Sequence, residues 1–183
     1  QHKKIMPIQI DTEFQSLIPP LSAEEKAQLE ANIVADGCRD PLVVWGEILI
    51  DGHNRYEICT RLGLPFETVV KEFDSRVHAR IWMRQLQRGR RNLSDGWLIE
   101  LALGDKADLL LIGAAIRKET EGRPSKESVV TNDSRLPKHD TRKEVAKAAG
   151  VSTGQVAKAE IVKREAPDLW EKAKAQELTI GAA

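Results

Sequence analysis

The segment that most constrains this chain lies in its last third, where residues 141–163 carry the spacing of two helices meeting across a tight turn. Counting from Arg142, a small residue stands at the fifth position (Ala146), glycine at the ninth (Gly150) and valine at the fifteenth (Val156), with Val145, Ala149 and Val151 also apolar. Ala146 has to be small where the second helix crosses. Gly150 tolerates the left-handed backbone that ends the first helix, and Val151 and Val156 fill the joint. Ser152 is placed to cap the second helix. This is helix-turn-helix spacing, and it puts Thr153, Gly154, Gln155 and Lys158 on the outer face near the start of the second helix. Residues of that kind reach base edges and phosphates in a major groove. Gln155 suits bidentate pairing with adenine, Lys158 suits a phosphate, and Arg142 and Lys143 on the first helix suit phosphates too. The expected DNA-binding set is Arg142, Lys143, Ser152, Thr153, Gln155 and Lys158. An ordinary helical hairpin with a glycine turn is the alternative reading. The DNA reading requires Glu144 and Glu160 to face away from the phosphates.

Net charge gives this reading no help, because 28 Lys and Arg residues balance 28 Asp and Glu residues over 183 positions. Any basic surface must come from local placement. The apolar fraction and abundant charge fit a globular chain of one ordinary domain or two small ones. No run approaches the roughly 20 apolar residues of a membrane span, and the start, Gln1-His2-Lys3-Lys4, lacks the apolar stretch of a signal peptide, so a cytoplasmic location without membrane contact is expected. Cys38 and Cys59 stand apart without CxxC or zinc-type spacing, so neither a disulfide framework nor a metal site is expected, and each reads as a small core residue.

Ahead of the helical pair the pattern is mixed. Ser22 and Glu25 form a capping box opening a helix that Gly37 can close. Residues 41–45 and 48–50 read as a β-hairpin about Gly46-Glu47, residues 54–62 as a helix, and residues 66–73 as a further β segment. Residues 75–87 follow as a helix with Val77, Ile81, Met83 and Leu86 inward, then helices over 94–103 and 106–118. Residues 119–140 are polar, without a sustained apolar period, and read as a linker.

A strand, then Asp51-Gly52, then a helix beginning near His53 gathers free backbone N–H groups and the positive helix end at one place, which suits an anion. The alternative is a tight turn in which Gly52 supplies an unusual backbone conformation and Arg55 pairs with a nearby carboxylate. Arg76, Arg80, Arg84 and Arg88 then recur every four residues, with Arg90 and Arg91 beyond. A row of like charges repels unless neutralised. A phosphate-bearing ligand, the DNA backbone, or acids such as those of the capped helix are the expected partners.

The order of these segments, from the capped helix through LVVW, ILIDGHNRYEI and RQLQRGRRNLS to the helix-turn-helix, resembles the ParB family, including ParB-like proteins of plasmids and phages, over about residues 8–163. The resemblance implies a small α+β domain of the ParB/sulfiredoxin kind over residues 1–94, and an all-α part over 95–183 holding the helix-turn-helix. It also implies a homodimer on double-stranded DNA, in partition or in transcriptional regulation of a mobile element, with a partition ATPase as a further partner. Some members load as clamps on CTP with Mg²⁺, and by analogy Gly52, His53, Asn54, Arg55, Arg84, Arg88, Arg90 and Arg91 would hold nucleotide or phosphate.

Departures from the family pattern point away from CTP hydrolysis. Gly52-His53-Asn54-Arg55 stands where a GERR-type motif is usual, without its glutamate, and the QPR-like box is absent near Ile18-Pro19-Pro20-Leu21. Arg84 occupies the place of the acid in ENxQR, and a cation there repels Mg²⁺. Sulfiredoxin resembles the same fold, but His53 replaces its cysteine, and the clustered carboxylates of a nuclease are missing around Asp51. No catalytic residue is assigned. A nucleotide switch and a protein-interaction adaptor remain the alternatives to a DNA-binding protein.

Overall fold

The computed structural model describes residues 8–89, 93–121 and 141–180. The chain divides into two units, Gln1–Gly89 and Arg90–Ala183, an α+β unit and a helical one.

In the first unit Asp11 caps a single short turn of helix, α1 (Thr12–Ser16), by accepting from the Glu13 and Phe14 amides. Helix α2 (Ala23–Asp36) opens with the capping box: Ser22 Oγ accepts from the Glu25 amide while the Glu25 carboxylate accepts from the Ser22 amide. Strands β1 (Leu42–Trp45) and β2 (Ile48–Asp51) form the hairpin, with Trp45 opposite Ile48 and a bulge between Val43 and Val44 that sets Val43 against Asp51. Helix α3 (His53–Leu62) follows, and β3 (Thr68–Val70), shorter than residues 66–73, returns to pair in parallel with β1, giving the order β2-β1-β3.

Both faces of this sheet are covered at β1 and β2, which is why adjacent residues Leu49 and Ile50 are both buried, whereas Val69 and Val70 of β3 are exposed. Leu42, Val44 and Leu49 pack on one side with Tyr56 of α3 and Phe66. Ile50 packs on the other with Phe14 of α1 and with Ala79 and Met83 of α4 (Arg76–Arg88). Of the residues expected inward on α4, Met83 is buried, Val77 and Ile81 are half-buried, and Leu86 is not. Ala79 and Met83 face the sheet, Arg84 and Gln87 are buried, and Leu86 is exposed. The small side chain of Ala79 permits close approach, whereas Leu86 lies outside the row that meets Ile50 and Phe14.

In the second unit α5 (Asp95–Glu121) is one continuous helix where two were expected. Gly104 costs such a helix only about 1 kcal/mol. Since α5 extends through Glu121, the expected linker over 119–140 begins as helix, and its remainder, 122–140, lies outside the described residues. Helices α6 (Thr141–Ala149), α7 (Thr153–Glu165) and α8 (Pro167–Lys174) pack on α5 around Ile99, Ala102, Val145, Ala149, Val156 and Trp170. Gly96 lets α5 approach α8 closely: a Cβ there would sit 3.1 Å from the Ala173 carbonyl oxygen. Among the described residues no helix is long and apolar enough to cross a membrane.

Candidate functional site

Helices α6 and α7 meet across a tight turn. Gly150 ends α6 at φ +70°, and the joint buries Val145, Ala146, Ala149, Val156 and Ala159. A capping box starts α7: the Gln155 amide donates to Ser152 Oγ at 3.2 Å, and the Ser152 amide donates to Gln155 Oε1 at 2.9 Å. Gln155 Nε2 also donates to Asp95 Oδ2 at 3.1 Å. Gln155, expected to read a base, here has both ends of its carboxamide engaged, and Ser152 is committed to the cap. Reading a base requires Gln155 to leave the cap and Asp95.

Arg142, expected on phosphate, donates through Nε to Glu160 Oε2 at 2.8 Å, bracing the start of α6 against α7. Lys163 is likewise held by Glu100 of α5. Thr153, Gly154 and Lys158 are exposed, as is Lys143. Gly154, Lys158 and Ile161 stand at i, i+4 and i+7, so one face of α7 carries a small residue, a cation and an exposed isoleucine in line. The periodicity of α7 already contained Ile161, but only its 47% exposure distinguishes it from core.

In the first unit Gly52 sits at φ +97° before α3, and no side chain caps that helix. Its first internal bond runs from the Tyr56 amide to the Gly52 carbonyl, leaving the amides of the opening turn available to an anion. Beside them His53 is only 8% exposed, and among the described residues neither ring nitrogen has a hydrogen-bond partner. Burial holds its pKa below the ordinary value, with the Asp51 carboxylate opposing, which favours the neutral ring. His53 and Asn54 line a cavity of about 470 Å³ together with Gln15, Tyr56, Glu57 and Arg61.

Arg55 turns away from that cavity. Its Nη2 donates to Asp51 Oδ2 at 3.1 Å and to the Pro41 carbonyl at 3.4 Å, and Nη1 lies 3.9 Å from Asp40 Oδ2. The cavity lining includes neither Arg84 nor Arg88, and Arg90 and Arg91 lie outside the described residues. The arginine row is neutralised in part from an unexpected helix: Arg76 bonds Asp11 and Glu13, and Arg80 bonds Glu13, all at the start of α1. The arginines in turn hold the Asp11 and Glu13 carboxyls below their usual range.

The donors at α3 fit an anionic group such as phosphate. A divalent metal fits less well, because Glu57, the carboxylate in the cavity lining, is paired with Lys26 at 2.7 Å. Among the described residues no cluster of His, Cys, Asp and Glu could hold a metal ion.

The chain is similar in structure to a pNOB8-like ParB N-domain in its C2221 crystal form, with 95% of this chain aligned to 73% of that one at 20% identity and a TM-score of 0.60. The fold is that of a ParB N-domain. A further structure of the pNOB8-like ParB N-domain aligns with 93% of this chain and 66% of its own length, at 21% identity and a TM-score of 0.57. The C-terminally truncated chromosome-partitioning protein ParB from Caulobacter crescentus, complexed to the centromeric parS site, is 20% identical, with 95% of this chain aligned to 76% of it at a TM-score of 0.31. This chain therefore spans about two thirds to three quarters of the ParB chains it matches. No family model matches the sequence, and neither does any curated protein.

Proposed function

We propose that the chain is a DNA-binding protein of the ParB kind, acting as a homodimer on duplex DNA in partition or in transcriptional regulation, with a partition ATPase as partner in the first case. The observation that carries this reading is the α6–α7 joint, where a left-handed glycine and a reciprocal cap hold α7 with its outer N-terminal face exposed. Thr153 and Gly154 approach the groove and Lys158 meets a phosphate, while Arg142 and Gln155 hold the helix in place. Lys158 is exposed, and among the described residues it forms no ion pair.

Fluorescence anisotropy on random duplex DNA across a salt series tests this. Binding should weaken with salt, and Lys158→Ala should reduce the log–log slope by about 0.9, the loss of one phosphate contact. If neither protein binds at low salt, the reading fails.

A second reading, a nucleotide switch, is favoured by one feature: the uncapped start of α3 beside the unpartnered ring of His53. It predicts saturable heat on titration with CTP and Mg²⁺, lost on Asn54→Ala. Absence of heat removes it.

A further inference from the structure

Cys38 and Cys59, 21 positions apart in sequence, meet in one cluster. Cys59 is fully buried on α3 in a cluster with Ile33 and Ile58, and Cys38, in the loop after α2, packs against that cluster while its thiol donates to the Asp40 carbonyl at 3.5 Å. No other cysteine exists in the chain. Cys38 is half-buried and also lines a cavity of about 900 Å³ between the end of α2 and β3, so a small solute reaches Cys38 but not Cys59.

We propose that Cys38 and Cys59 form a reversible dithiol–disulfide couple, a modification site entered at Cys38 by a small hydroperoxide. The Cys38 thiolate attacks the terminal peroxide oxygen. An S–O bond forms as the O–O bond breaks, leaving a sulfenic acid on Cys38 and releasing the alcohol, or water from hydrogen peroxide. The Cys59 sulfur then attacks the Cys38 sulfur. The S–S bond forms, the S–O bond breaks, and hydroxide leaves as water with the Cys59 proton. Two thiols lose two electrons in total, and the peroxide gains them.

The division of labour follows from the surroundings. Burial and the neighbouring Cys38 push the Cys59 thiol up to about 11, with Arg55 opposing, so Cys59 stays protonated until a sulfenic acid forms beside it. A disulfide draws the sulfurs to about 2.05 Å, so the Cys38 loop must move toward α3. Gly37 permits that swing, since it stands at φ +77° with open space around it. The same loop supplies two of the Arg55 contacts, the Pro41 carbonyl and the Asp40 carboxylate. Oxidation therefore displaces the partners of Arg55 at the start of α3.

The test treats the whole chain with hydrogen peroxide, blocks remaining thiols and digests with trypsin. Free thiols should fall from two to none, and peptides 27–39 and 56–61 should appear as one linked species that dithiothreitol separates. Cys59→Ser should leave a sulfenic acid on Cys38 that dimedone traps, and Cys38→Ser should leave Cys59 unoxidised. The proposal is overturned if Cys38 of the wild type passes to sulfinic acid while Cys59 remains a thiol. It is equally overturned if Cys38 instead links two chains, or if the 27–39/56–61 species appears only in urea.

Discussion

At Gly52 the backbone and two neighbours together exclude any side chain. Its φ of +97° is strained for other residues, and a Cβ would lie 2.5 Å from Leu42 Cδ2 and 3.0 Å from Arg55 Nη2. Gly52→Ala should therefore destabilise the first unit by roughly 1–3 kcal/mol from backbone strain alone, read as a lower urea midpoint with an unchanged m-value. His53 sets a pH dependence whose sign follows from its burial. The folded-state pKa lies below the ordinary histidine value of about 6.5, so below that pH the unfolded chain binds more protons than the folded one. Stability is fully present above the unfolded value and is lost as pH falls through the folded one. The melting temperature of the first unit should drop as pH falls below about 6.5, and His53→Gln should flatten that part of the profile. An equal drop in the variant would assign the dependence to other groups.

The helix ends show which parts of the architecture could be read from residues alone. Ser22 with Glu25, Gly46 in its hairpin turn, and Gly150 followed by Ser152 are all local signals, since each device closes within a few residues of chain. Ser152→Ala should cost about 1 kcal/mol of second-unit stability, and it should also free Gln155 from one side of its cap. If melting is unchanged, the cap is not holding α7. Helix α1 was not legible, because five residues are too few to show a period. Which face of α4 is buried depends on which residues lie opposite, and the sequence does not state that Ala79 and Met83 meet Phe14. The arginine row was visible, but its partners Asp11 and Glu13 stand more than 60 positions away. At the candidate site, the exposed face of Thr153, Gly154 and Lys158 followed from periodicity. The engagement of Gln155 by Asp95 and the meeting of Cys38 with Cys59 are tertiary contacts without a local trace.

Among the described residues each unit has its own apolar clusters: one around Val156 and Trp170 in the second, and in the first two on the sheet and one between α2 and α3. A fragment of residues 93–183 should therefore keep its helical circular dichroism and bind random duplex DNA with the salt slope of the whole chain. Loss of binding with helicity intact would place part of the DNA contact in the first unit. The sheet has a different consequence. Strands β1 and β2 close over a two-residue turn, on the order of microseconds for an isolated hairpin. Strand β3 joins β1 in parallel and can do so only after α3 has carried the chain back, since parallel neighbours need a crossover. The hydrogen bonds from Leu42 to the Glu67 carbonyl and from Lys71 to the Val44 carbonyl are then the last rungs to form. During synthesis β1 would remain an open edge until residue 71 has left the ribosome, and in that interval a neighbouring nascent chain could pair with it.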